Sequence, residues 1–335
     1  MRRDYIALVM VIISIVIFYF LILPSFSLAQ FLESLNNVNP IVFFLALVAV
    51  AISQIIASVR WSLLMQEVNA KKSQILVNAL GTFSIGQVAG LIVPSRIGAY
   101  AKVPIIMKMD NLSYETGVSA VNAETVFDLV YICCAGIASF FIMSSFLLSY
   151  TSLTIAFIKL IMGFLLGAMV LLFLFKNIDK ISSKLVAISQ DACKDVFTRA
   201  LAYYVGKLVG LILSTKILLR RKKLVVELGS TTLIIQFFSI VGLFLVIGST
   251  NMGLPFPEVF ALLTISYIIG IASMVPGGIG ASDLSLIVLL GSEGIPIAIA
   301  TNIAILWRVA MYLPIFIIIG VFLVQQRISG KDIIV

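Results

Sequence analysis

The sequence has no histidine, three cysteines and few charges, with only 11% of its 335 residues being Asp, Glu, Lys or Arg. Without histidine there is no Ser-His nucleophile, no HExxH zinc site and no imidazole general base. The cysteines form no disulfide framework and no metal-ligand spacing: Cys133 and Cys134 adjoin in an apolar run and Cys193 stands alone in a polar stretch. No Walker motif for ATP is present, and no cofactor is expected. So little charge also excludes an ordinary soluble domain. What fills the chain is apolar, 61% of it, as in a multi-pass membrane protein of all-α class.

About 20 residues of helix cross roughly 30 Å of hydrocarbon. Six runs meet that length: Tyr5 to Leu23, Pro40 to Ser58, Tyr114 to Leu148, Leu153 to Phe175, Leu228 to Gly248 and Ile295 to Val324. The first is expected to be a retained anchor, because it exceeds a usual signal-peptide core although Ser27-Leu28-Ala29 resembles a cleavage site. Three stretches are shorter or interrupted: 75–107 around Pro94, 200–219, and 258–290 around Pro276.

Short cytoplasmic loops carry excess Lys and Arg. Arg2 and Arg3 place the N-terminus inside, the loop holding Glu33 outside, and Arg60, Lys71 and Lys72 inside again. If residues 75–93 crossed fully, Lys108 and the basic loop 176–199 would lie outside. A hairpin entering from the cytoplasm and turning at Pro94 to Gly98 removes the conflict. The run Arg220 to Lys223 likewise keeps 200–219 on one side or along the interface. Arg327 and Lys331 place the C-terminus inside, so 258–290 is a second hairpin, entered from outside.

Two halves of opposite topology result, 1–150 and 151–335, each with two spans, a re-entrant hairpin and a long span. Pro94-Ser95-Arg96-Ile97-Gly98-Ala99 aligns with Pro276-Gly277-Gly278-Ile279-Gly280-Ala281, and Asp128 with Arg308. Non-helical backbone at membrane depth is tolerated only against protein or a wet cavity, so two breaks predict a cavity. Pro276 stops the incoming helix, and Gly277, Gly278 and Gly280 allow positive φ. The helix that follows is expected to present free N–H groups inward, an anion-attracting arrangement. Arg96, with Lys102 close by, would add full positive charge for phosphate. A purely structural Pro-Gly kink is the alternative.

Glu124 and Asp128, four apart, share one face of the third span with Gly117, Ala120 and Tyr131. Carboxylates inside a span face a cavity, a partner or an ion path. They either lock helices together, with Arg308 as the expected partner, or serve transport. Asp283 is either a helix-dipole partner or a gating or proton-linked carboxylate. Lys159, Lys207 and Lys216 are expected to snorkel to an interface. The run Arg220 to Lys223 sets topology and touches anionic headgroups; it is not a nucleic-acid site.

At these residues the chain resembles the transmembrane region of lysylphosphatidylglycerol synthase/flippase proteins and their stand-alone bacterial and archaeal relatives. The resemblance rests on Pro276-Gly277-Gly278-Ile279-Gly280 with Asp283, Arg60-Trp61, Pro94-x-Arg96-x-Gly98 with Lys102, Glu124 with Asp128, and Arg308. The chain departs from the family at Ala99 and Thr125, where Glu and Arg are common. The resemblance implies a flippase that moves an anionic or glycosylated lipid, phospho- or prenyl-phosphate, between leaflets of the cell membrane. Its partners would be membrane lipids and a lipid-modifying enzyme. Lipid aminoacylation is not expected, as no aminoacyl-transferase domain follows. Two alternatives stand beside it: a glycosyl- or phosphotransferase acting on a polyprenyl lipid, disfavoured by the lack of an external acidic cluster, and a non-transporting assembly subunit.

Overall fold

The computed structural model describes residues 38–68, 76–92, 95–110, 113–143 and 219–328, with isolated positions at 36, 215 and 216. Among them the chain is helical and contains no strand. The runs at Tyr5 and Leu153, the loop 176–199 and nearly all of 200–219 lie outside the described residues, so the expectations made for them stay untested. Among the described residues four helices are long and apolar enough to cross a membrane: α1 (Pro40–Val68), α4 (Tyr114–Ile142), α5 (Lys222–Ser249) and α8 (Ile297–Ile328). They coincide with the other four predicted runs, and the protein is an all-α polytopic membrane protein.

Between these long helices stand two broken elements. The first is α2 (Leu76–Ile92), followed by a 3-10 turn (Ser95–Ala101) and α3 (Lys102–Asp110); the second is α6 (Phe256–Ala272) followed by α7 (Ala281–Ser292). The order of long helix, 17-residue helix, break and long helix thus occurs twice.

The two leading helices of this series, α1 and α5, pack against each other along their length. They run antiparallel. Asn39 N–H donates to the Ser249 carbonyl at 2.7 Å, the Ser53 and Ser239 hydroxyls meet at 2.9 Å, and Arg60 donates to Thr232 at 2.8 Å, so positions rise on one helix as they fall on the other. Equivalent helices related by a two-fold axis in the membrane plane must be antiparallel, and this pair is.

Two apolar cores lie at opposite ends of the pair. One joins Trp61, Leu64 and Met65 of α1 to Ala79 and Phe83 of α2, Val103 and Ile106 of α3, the start of α4 and Leu228 of α5. The other joins Ala46 and Val50 of α1 to Val246 and Ile247 of α5, Val259 and Leu262 of α6, Leu290 of α7 and Ala300 of α8. Each core therefore holds the open base of one hairpin, and the two tips point toward the middle. Packing also crosses between the halves, with α2 against α8 and α6 against α4. Ile41, Phe44, Phe141, Leu233, Phe316 and Val321 are exposed, which water would penalise and lipid does not.

The tips meet. Gly277 N–H donates to the Gly90 carbonyl at 2.9 Å, so one hairpin satisfies a backbone group of the other. Within the first hairpin, Gly98 lies so close to α2 that a Cβ on it would fall 2.2 Å from the Gly90 nitrogen. Backbone cannot yield there as a flexible side chain would. Gly98→Val is therefore expected to destabilise the protein by about 2 kcal/mol or more, seen as an earlier midpoint in a thermal melt of the detergent-solubilised protein. Gly291→Ala, where a Cβ meets nothing within 4 Å, is the control and should leave the midpoint unchanged.

Candidate functional site

A cavity of about 330 Å³ lies between the halves, walled by α1, α2, α4, α5, α6, α7, α8 and the second break. Its charged wall is built from two clusters.

The first joins α1, α3 and α4. Arg60 Nη1 donates to Asp128 Oδ1 at 2.7 Å and to Thr232 at 2.8 Å, while Nη2 donates to Glu124 Oε1 at 3.0 Å and Asp128 Oδ2 at 3.4 Å. Lys102 Nζ donates to Glu124 Oε2 at 2.5 Å and sits 3.9 Å from the centre of the Trp61 ring. Trp61 is held in turn by its indole N–H donating to Thr82 at 3.1 Å. Arg60, Lys102 and Glu124 are at most 5% exposed. Charges so buried persist only when paired, and here each carboxylate faces a base. The i, i+4 spacing on α4 places both acids before one guanidinium.

The second cluster ties α7 and the break to α8. Arg308 donates to Asp283 from Nε at 2.6 Å and from Nη2 at 3.0 Å, to Ser282 Oγ at 2.6 Å, to the Gly277 and Gly278 carbonyls at 3.1 and 3.4 Å, and to Tyr312 Oη at 2.9 Å. The guanidinium thereby supplies a donor to the Gly277 carbonyl and adds to the bonds that the Gly278 carbonyl already accepts from Ser282. Gly277, Gly278 and Gly280 have φ of 61°, 64° and 87°, which only glycine adopts without strain. Asp283 also accepts from Gly280 N–H at 2.9 Å, capping α7 at its first turn.

Three expectations are corrected by this geometry. Arg308 is not the partner of Glu124 and Asp128: it binds Asp283, and Arg60 takes the two acids. Arg60 is not a loop residue, because α1 continues ten residues past Ser58 and buries it. Nor are most donors of the second break free. The N–H groups of Gly277, Gly278, Ile279, Gly280 and Ser282 bond to the Gly90, Val275 and Pro276 carbonyls, Asp283 and the Gly278 carbonyl, respectively.

Of the residues expected to bind substrate, Lys102, Gly277 and Gly278 line the cavity. Pro276 and Gly280 are buried in the turn, and Gly98 is buried against α2. Pro94 and the Arg96 side chain lie outside what is described, although the Arg96 backbone belongs to the 3-10 turn. All four charge-network residues, Glu124, Asp128, Asp283 and Arg308, line the cavity. Sequence reasoning missed Arg60 as a site residue, along with Gln54, Gln87 and Gln236, which also face the cavity. The signal for the three glutamines was present: amides inside otherwise apolar helices.

Glu124→Gln alone leaves Lys102 and Arg60 short of a buried counter-charge and should cost about 3–5 kcal/mol. Lys102→Met alone deprives Glu124 of one partner. Combining the two should cost less than the sum of the single changes by about 1 kcal/mol or more, measured as a double-mutant cycle on unfolding in detergent.

Residues 6–319 match the family model described as the lysylphosphatidylglycerol synthase TM region. No curated protein matches the chain.

Proposed function

The chain belongs to the lysylphosphatidylglycerol synthase transmembrane-region family, and from that premise we propose that it is a lipid flippase, carrying a polar headgroup between leaflets while the tails stay in the bilayer. One observation carries the reading. Two hairpins based at opposite ends of an antiparallel helix pair meet at Gly277 and Gly90, beside a cavity to which both halves contribute charge. Broken helices meeting between inverted halves are the arrangement from which alternating access arises, one half rocking on the other. Among the described residues the tips share one hydrogen bond, beside which Gly277 packs near Leu91, a contact small enough to break and reform in such a cycle.

The protein would lie in the cell membrane with both termini in the cytoplasm and the base of the second hairpin outside. Its partners would be membrane lipids and an enzyme that modifies them. Transport is favoured over glycosyl or phosphoryl transfer because Glu124, Asp128 and Asp283 each bind a basic side chain at 3.0 Å or less, which leaves none of them poised as a general base.

Cysteines at Pro257 and Ser292 should react with an impermeant maleimide added outside, and cysteines at Lys108 and Lys222 only after the membrane is opened; the reverse pattern inverts the assignment. For activity, purified protein in liposomes should expose fluorescent lipid from the inner leaflet to dithionite faster than protein-free liposomes do. Arg308→Lys keeps the charge but loses the planar fork that holds two carbonyls and Asp283 together, so the rate should fall at least about tenfold. No acceleration with any lipid class, or a lipid product of altered mass formed from a sugar donor, would overturn the reading.

A further inference from the structure

The wall atoms that still lack a partner indicate what the cavity holds. Among the described residues its charged side chains are the bases Arg60, Lys102 and Arg308 and the acids Glu124, Asp128 and Asp283. Every one is paired with opposite charge, and both clusters are formally neutral. Five N–H groups of the second break, those of Gly277, Gly278, Ile279, Gly280 and Ser282, are likewise bonded within the protein. An anion entering this space would give up its hydration without finding an unpaired cation among the described residues, and a buried uncompensated charge is far more costly than a buried neutral polar group.

The unpartnered groups are almost all uncharged. The side-chain amides of Gln54, Gln87 and Gln236 and the Tyr131 hydroxyl line the cavity and make no hydrogen bond among the described residues. The Ser266 hydroxyl, in the same wall, is buried without a partner; the one charged exception is Arg60 Nε, whose guanidinium is already neutralised by two acids. A glutamine amide offers a donor and an acceptor side by side, and so does each hydroxyl of a sugar. The volume of about 330 Å³ falls within the range of small-molecule sites, about 300–1,000 Å³.

We infer that the group carried through the cavity is an uncharged polyhydroxyl headgroup, a glycosyl lipid, rather than an anionic phosphate headgroup. This rests on the flippase reading and narrows it.

The test uses the full chain in liposomes containing either fluorescent monoglycosyl diacylglycerol or fluorescent phosphatidylglycerol with the same labelled acyl chain. The glycosyl lipid should cross at least about tenfold faster than the phosphatidylglycerol, a discrimination of roughly 1.4 kcal/mol. Gln87→Ala and Gln236→Ala should each reduce glycosyl-lipid crossing several-fold. Gln87→Asn should keep part of the rate, and unchanged melting midpoints would show that the variants fold. Equal or faster crossing of phosphatidylglycerol overturns the headgroup inference and leaves the flippase reading standing. Selective glycosyl-lipid crossing that the glutamine variants do not alter overturns the assignment of the wall. If neither lipid crosses faster than in protein-free liposomes, both readings fall.

Discussion

A helix that stops inside a membrane leaves N–H and C=O groups that lipid cannot satisfy, and the structure is organised around meeting that demand. At the second break much of that demand is met within the protein. Gly277 N–H goes to Gly90 of the other hairpin, Gly280 N–H goes to Asp283, and the Gly277 and Gly278 carbonyls go to Arg308. Arg308 can serve two carbonyls and a carboxylate at once because its donors radiate in one plane, whereas a lysine would supply a single point. The glycines are needed in turn because the turn that presents these carbonyls to the guanidinium holds Gly277 and Gly278 at positive φ. Proline, glycine, aspartate and arginine are thus parts of one device: the first stops the helix, the next turn it, and the charged pair seals what is left open.

The same logic explains why α1 and α5 lie at the centre. Antiparallel packing puts the base of each hairpin into its own apolar core, one at either end of the pair, and leaves the middle for polar groups. Arg60 sits where α1, α4 and α5 converge, binding Asp128, Glu124 and Thr232. A buried pair of this kind adds little net stability over an apolar equivalent but is costly to break, so it fixes which helices are neighbours more than it deepens the fold. The crossed packing of α2 on α8 and α6 on α4 means that neither hairpin belongs to its own half alone. A movement of one half must therefore be felt at both tips.

Much of this was legible in the residues. Apolar length gave α1, α4, α5 and α8, and Pro276 with its glycines marked the second break, because hydropathy and backbone freedom are local properties. Partner choice was not legible. Arg60 was assigned to a cytoplasmic loop because charge normally ends a span, yet its helix runs on and the charge is taken up by acids 64 and 68 positions away. The repeat alignment set Arg308 against Asp128, which suggested that they pair, but an alignment of two repeats says only that two positions correspond, not that they touch. The expectation of an open anion site at the α7 terminus failed for a related reason: the positive end of that helix already has its carboxylate in Asp283, the third residue of the helix.

Self-neutralised clusters also bear on how a carrier works. A path that binds its cargo too strongly holds it, and conduction requires sites favourable enough to enter and weak enough to leave. Three unpaired bases around a phosphate would make a deep electrostatic well in a low-dielectric interior. Pairing each base with an acid of the protein's own removes that well, and what remains is amide and hydroxyl, whose hydrogen bonds are each worth about 0.5–1.5 kcal/mol against water. Several such bonds suffice to choose a headgroup and few enough to release it. The charges then serve the frame, holding α1, α4, α7 and α8 in register around the cavity, and on the proposed reading it is Gln54, Gln87 and Gln236 that would meet the headgroup.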